Sequence, residues 1–263
     1  MREMEPDSKS LSALSRALTI AGFDPSGGAG VLADVSTFAA FGLTASAAIT
    51  SITFQNASQG FGAIDQTGDS VRAQVLPLLD DFTFGCAKTG MLPTSEVVRE
   101  VARLFRESGL PRPVVDPVMV SSSGQRLMEE NALERFIFEL LPLARLVTPN
   151  IPEAEALTGA SITSESEMRR AAATIRKMGT RAVLIKGGHL PTLPEESIDV
   201  LDNDGDVTVF REMRIAGPGI RGSGCVLSAA IAAGLGNGET LEEAVAGAKS
   251  FVLETIRWVS ERG

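Results

Sequence analysis

Ala17-Leu18-Thr19-Ile20-Ala21 runs without interruption into Gly22-Phe23-Asp24-Pro25-Ser26-Gly27-Gly28-Ala29-Gly30, and a helical pattern occupies 30–41. An apolar run that does not alternate is how a strand buried on both faces reads, and a Pro/Gly-rich stretch after it reads as a turn. The segment therefore predicts strand, glycine loop and helix. Moving outward, similar apolar runs stand at 45–52, 85–88, 113–118, 146–148 and 182–186, with helical patterns at 70–79, 95–108, 133–141, 165–178, 225–235 and 241–259. This alternation predicts an α/β fold: a central, mainly parallel β-sheet flanked by helices on both faces. Asp202-Asn203-Asp204-Gly205, between 197–201 and 207–210, reads as a hairpin turn and adds a late antiparallel pair. Leu241, Ala244, Val245, Ala248, Val252 and Ile256 fall on one helical stripe, the pattern of core packing.

With 263 residues and 44% hydrophobic content, the chain suits one large domain over 17–263. The polar, Ser-rich stretch 1–16 is expected to be a disordered N-terminal extension. Twenty-four basic against 33 acidic residues give a net charge of −9, which disfavours nucleic acid or an anionic membrane as partner. A small anionic substrate would then need a local positive pocket. Cys86, Cys225 and the single histidine, His189, have neither metal-ligand nor disulfide spacing, and a reducing cytoplasm is the expected location. No apolar run approaches the ~18 residues of a membrane span.

In open sheets of this kind ligands bind beyond the carboxyl ends of the strands. The polar and glycine-rich residues at those ends are Gly22 to Gly30, Gln55-Asn56, Thr89-Gly90-Met91, Asp116, Thr148-Pro149-Asn150 with Glu153, and Lys186-Gly187-Gly188-His189. Gly27-Gly28-Ala29-Gly30 matches neither the dinucleotide fingerprint nor a Walker A loop, which argues against a nicotinamide enzyme. Arg221-Gly222-Ser223-Gly224-Cys225 leads into a small-residue helix and has the shape of an anion hole, because the first amides of a helix lack intrahelical partners and carry the positive end of its dipole. A thiol in that first turn, Cys225, is expected to have a lowered pKa and to serve as base or hydrogen-bond partner. Asp116, acidic at the end of an apolar strand, suits metal or phosphate-site electrostatics. Asn150 and Glu153 read equally as a capping pair or as site residues. Lys186 reads as a phosphate-binding cation or a surface lysine, and His189 as a structural or lid residue.

As a set, these segments resemble the hydroxymethylpyrimidine and phosphomethylpyrimidine kinases of thiamin biosynthesis, within the ribokinase superfamily. The resemblance is carried in order by Asp24-Pro25-Ser26-Gly27-Gly28-Ala29-Gly30, Lys88-Thr89-Gly90-Met91-Leu92, Val115-Asp116-Pro117-Val118-Met119-Val120, Thr148-Pro149-Asn150-Ile151-Pro152-Glu153-Ala154, Lys186-Gly187-Gly188-His189-Leu190 and Gly222-Ser223-Gly224-Cys225. It implies a ribokinase-like fold and ATP-dependent phosphorylation of a pyrimidine hydroxymethyl group, followed in bifunctional members by phosphorylation of the monophosphate. It places the pyrimidine against Gly22, Ala29, Asp34, Thr53, Gln55, Met91 and Val118; an amide such as Gln55 offers both donor and acceptor to an aminopyrimidine edge. It assigns Asn150, Glu153 and Lys186 to ATP, Asp116 and Glu153 to the surroundings of Mg2+, and Gly222, Ser223, Gly224 and Cys225 to catalysis. A homodimer is expected from the same superfamily.

The chain also departs from the family pattern. Arg221 stands where a histidine is usual, Ser121-Ser122-Ser123 replaces a loop that often holds a lysine, and Gly217-Pro218-Gly219 replaces a threonine- and asparagine-bearing approach. These departures leave three questions to the structure: whether the second phosphorylation is retained, whether the acceptor is a pyrimidine or pyridoxal, and whether Arg221 faces phosphate or solvent. A non-catalytic pyrimidine-binding sensor is the alternative from another class.

Overall fold

The computed structural model describes residues 16–56, 59–121, 124, 126–188, 190, 196–213 and 221–260. The stretch 1–15, Ser122, Ser123, His189 and Gly217-Pro218-Gly219 lie outside the described residues.

The opening stretch folds as read: β1 (Arg16–Phe23), the glycine loop, then α1 (Gly30–Ala40). β2 (Thr44–Gln55) pairs with β1 in parallel, and the next parallel strands are β4 (Cys86–Thr89), β5 (Val114–Val115), β6 (Leu146–Val147) and β7 (Ala182–Gly187). Antiparallel strands close both edges: β3 (Gly60–Asp65) against β2, and the hairpin β8 (Glu196–Asn203) and β9 (Asp206–Met213) against β7. The sheet order is β3-β2-β1-β4-β5-β6-β7-β8-β9.

Period-two burial explains why the strands read as continuous apolar runs. Leu18, Ile20, Val115, Val147, Val183 and Ile185 face one apolar layer, whereas Ala17, Val114, Leu146, Ala182 and Leu184 face the other. The first layer is covered by α2 (Gly68–Asp81), α3 (Ser95–Glu107), α4 (Glu130–Arg135), α5 (Ile151–Thr158) and α6 (Glu165–Arg176). The second is covered by α1, α7 (Ser223–Gly236) and α8 (Leu241–Ser260). α7 is apolar and buried almost all round, and its alanines and glycines let it lie close to its neighbours. A Cβ on Gly234 would stand 2.9 Å from that of Ala244 in α8, and one on Gly236 2.8 Å from Cys86 Sγ.

Three elements differ from the sequence reading. The helix expected over 133–141 is α4 followed by a π turn, Phe136–Leu140, and a 3-10 turn, Leu141–Leu143, because Pro142 has no N–H to continue the α ladder. β3, with two glycines in six residues, carries too little β propensity to be seen. α5 is only eight residues long, and its start was visible solely as the Asn150/Glu153 pair.

Candidate active site

Backbone bonds step from each strand end to the next: Gly90 N–H donates to the Ile20 carbonyl, Asp116 N–H to Thr89, Thr148 N–H to Val115 and Lys186 N–H to Pro149, at 2.8–3.0 Å. The sheet thus presents its carboxyl ends as a continuous ledge. β1 lies between β2 and β4, so the connections leave it in opposite directions, and the crevice opens at that switch point.

Two adjoining cavities occupy the ledge. The smaller, about 180 Å³, is lined by Gly22, Ala29, Thr53, Gln55, Met91 and Val118, with Asp116 and Cys225 toward its inner end. Six of the seven residues expected to hold the acceptor are thereby brought together. The larger, about 920 Å³, is bounded by Ser197, Asp199, Ser223, Leu227 and Val252. Asn150, Glu153, Lys186, Arg221, Gly222 and Gly224 line both cavities and mark their junction.

Asp34, the seventh expected acceptor residue, does not line the cavity. It is fully buried, both carboxylate oxygens face Lys88 Nζ at 2.8 Å, and Thr19 Oγ1 donates to Oδ2 at 2.6 Å. Lys88 is also fully buried, directly beneath the acceptor wall: a Cβ on Gly90 would stand 3.0 Å from its ammonium. Burial opposes that charge, but Asp34, Cys225 and Asp116 outweigh it and raise the Lys88 pKa. The sequence marked Lys88 only as part of a motif and gave it no role; its signal was a lysine in an apolar strand segment.

α7 begins at Gly222, whose φ of 75° is left-handed and has no side-chain cap. A Cβ there would fall 1.9 Å from the Gly28 carbonyl, so the α7 turn is seated against the β1–α1 loop. Gly30 behaves alike: φ is 61° and a Cβ would come within 2.2 Å of the Gly22 carbonyl. The N-termini of α1 and α7 consequently converge on Cys225, whose sulfur accepts a hydrogen bond from the Gly30 N–H. The expected lowering of the Cys225 pKa does not hold. Burial pushes the thiol up to about 11; Lys88 and the Gly30 N–H pull it down, while Asp116 and Asp34 push it further up.

Lys186 donates to Asp116 Oδ1 at 2.9 Å, and Thr148 Oγ1 donates to the same oxygen at 3.3 Å. Burial disfavours the Lys186 ammonium, yet Asp116 and Glu153 raise its pKa, so it is a held cation and not a surface lysine. Asn150 and Glu153 form a reciprocal capping box on α5, both bonds at 2.8 Å, and also line the junction. Burial raises the Glu153 pKa to about 7 against Lys186 and the Asn150 and Met119 N–H groups, with Asp116 adding to the rise. Arg221 does not simply point to solvent: it lines both cavities and is tied to two neighbouring loops. It donates to Asp24 Oδ2 at 3.4 Å and to the Asn56 carbonyl, linking the loops after β1 and β2.

Asp116 and Glu153 are two nearly buried carboxylates beside the positive Lys186. Among the described residues no group of three or more His, Cys, Asp and Glu side chains could hold a metal ion by itself. Such a donor set fits magnesium bound mainly through phosphates and water.

A smaller pocket meeting a larger one at a helix N-terminus and Lys186 is the arrangement of a small-molecule transferase site, and solved kinases place the fold in the ribokinase-like class. The phosphomethylpyrimidine kinase from Clostridium difficile 630 is 37% identical, with a TM-score of 0.81 over 92% of this chain and 99% of that one. The pyridoxal kinase from Staphylococcus aureus, solved with AMP-PCP and pyridoxal, is 33% identical, with a TM-score of 0.83 over 92% and 87%. Residues 24–263 match the family model described as phosphomethylpyrimidine kinase. The hydroxymethylpyrimidine/phosphomethylpyrimidine kinase of Rhizobium meliloti (strain 1021) is 44% identical over 243 residues, covering 91% of this chain and 90% of its own. The chain belongs to the phosphomethylpyrimidine kinase family and is a kinase. Among the described residues, no helix is long and apolar enough to cross a membrane.

Proposed function

We propose that this protein transfers the γ-phosphoryl group of ATP to the hydroxymethyl group of 4-amino-5-hydroxymethyl-2-methylpyrimidine, and then to the resulting monophosphate, in thiamin biosynthesis. The observation that carries this reading is the meeting of the two cavities at Lys186 and the start of α7, with Cys225 on the wall of the smaller one. The pyrimidine lies among Gly22, Ala29, Thr53, Met91 and Val118, with the Gln55 amide reading its polar edge. The larger cavity takes the nucleotide, with Asn150, Glu153 and Lys186 toward its phosphates.

In this reading the acceptor hydroxyl forms its bond to the γ-phosphorus as the bond to the leaving ADP oxygen breaks. The amides from Gly222 to Cys225 and the Lys186 ammonium hold the developing charge. Such transfer is loose, so the hydroxyl proton leaves late and passes to Cys225 in its minor thiolate form, which Lys88 and the Gly30 N–H favour against burial. Asp34 acts through Lys88 and not on the acceptor. Asp116 and Glu153 would hold Mg2+ at the junction, where the ion would neutralise phosphate charge. The protein works in the cytoplasm as a homodimer. In support of the dimer, Ile52, Phe54 and Ile64 are exposed on β2 and β3, and Ile52 and Ile64 are cross-strand partners.

Steady-state turnover of the hydroxymethylpyrimidine, its monophosphate and pyridoxal by purified protein tests the assignment. Both pyrimidines should be phosphorylated with higher kcat/KM than pyridoxal. Preference for pyridoxal would make the protein a pyridoxal kinase, and thermal stabilisation by the pyrimidine with no ATP consumption would make it a sensor.

A further inference from the structure

An acceptor that already carries a phosphate poses a problem the alcohol does not. With its ring in the smaller cavity, the phosphate must extend to the junction and lie beside a second, incoming phosphoryl group. Among the described residues, two cationic side chains line that junction, Lys186 and Arg221. Lys186 reaches it from β7 and is engaged with Asp116 at 2.9 Å. Arg221 lies on the acceptor side, anchored by Asp24 after β1 and by the Asn56 carbonyl after β2, with its side chain 23% exposed. Asp24 in turn accepts from the Ser26 N–H and hydroxyl at 2.9 and 2.7 Å, which fixes the carboxylate that orients the guanidinium. Those two contacts use two of the five N–H donors of a planar group suited to phosphate oxygens.

We infer that Arg221 binds the phosphate of the phosphorylated acceptor and so sets the preference of this chain for the second transfer. The inference rests on the kinase reading above. In that transfer an oxygen of the acceptor phosphate bonds to the γ-phosphorus of ATP while the bond from that phosphorus to the β-bridging oxygen breaks, giving a diphosphate and ADP. Arg221 is a specificity residue here: it makes no bond to the γ-phosphorus, but fixes the attacking phosphate in line with it.

The test is kcat/KM for the alcohol and for the monophosphate, at saturating ATP and magnesium, in wild type, Arg221→Gln and Arg221→Lys, with folding checked by thermal melts. In Arg221→Gln the monophosphate-to-alcohol ratio should fall roughly 10- to 100-fold, mainly through the monophosphate KM, as expected for a lost charged hydrogen bond. Arg221→Lys should restore part of the ratio, because it returns the charge without the fork. A ratio unchanged in Arg221→Gln, with both acceptors affected alike, would show that Arg221 only straps the two loops together and would overturn the assignment. A wild-type protein that phosphorylates the alcohol but not the monophosphate would overturn it too. Failure of the wild type on both acceptors would instead overturn the kinase reading.

Discussion

At the residue scale the site is governed by charges buried in pairs. Lys88 and Asp34 are both wholly removed from solvent, so each depends on the other for the interactions water would have provided. Lys88→Met should therefore destabilise the protein by about 3–5 kcal/mol in urea titration, because Asp34 is left buried and uncompensated. The double variant Lys88→Met/Asp34→Asn should recover much of that loss; an equally unstable double variant would show that packing, not charge, is at stake. Cys225 follows the same physics with opposite sign: burial favours the neutral thiol, and its pKa rises to about 11. Iodoacetamide should accordingly modify Cys225 at a rate climbing about tenfold per pH unit between roughly pH 7 and 9.5. A plateau beginning below pH 8 would mean that the helix termini dominate after all.

At the element scale, what matters is how closely α1 and α7 approach. Glycines set both first turns: Gly222 seats the start of α7 on the Gly28 carbonyl before α1, and Gly30 seats the start of α1 on the Gly22 carbonyl in β1, at distances no side chain tolerates. Gly222→Ala should cost about 1–3 kcal/mol from its left-handed φ alone, and more from the clash. It should also abolish most turnover by displacing the amides that follow. Retained kcat in a protein of lowered Tm would separate the anion hole from the packing of the loop. α5 shows the same economy, since one capping box both starts the helix and sets Asn150 and Glu153 at the junction.

For the whole molecule, the central strands bury both faces, whereas β2 and β3 at the edge leave theirs partly uncovered. Ile52, Phe54 and Ile64 are 39%, 44% and 57% exposed, on neighbouring strands at one edge of the sheet. An uncovered apolar face at a sheet edge favours association with a second copy. Sedimentation should show a homodimer, and Ile64→Lys should shift it toward monomer at micromolar concentration. A wild-type monomer, or an Ile64→Lys dimer of unchanged affinity, would remove this face from the interface.

The alternation of apolar runs with helical patterns determined the α/β sheet, because strands buried on both faces have no freedom to carry polar residues. Glycines at the loop after β1 and before α7, together with Gln55, Asp116, Asn150, Glu153 and Lys186 near strand ends, were legible for a related reason: each stands where a core residue or an ordinary turn would not need it. Tertiary structure alone decided what each charge faces. Lys88 meets Asp34 across 54 positions, Lys186 meets Asp116 across 70, and Arg221 meets Asp24 across 197. No periodicity encodes such pairs. Those partners moved Asp34 from the acceptor to Lys88 and turned Arg221 toward the acceptor loops, and burial raised the Cys225 pKa that its helix position alone would have lowered. A pKa depends on desolvation and on charges within a few ångströms, and both are properties of the packed molecule that a linear order of residues does not contain.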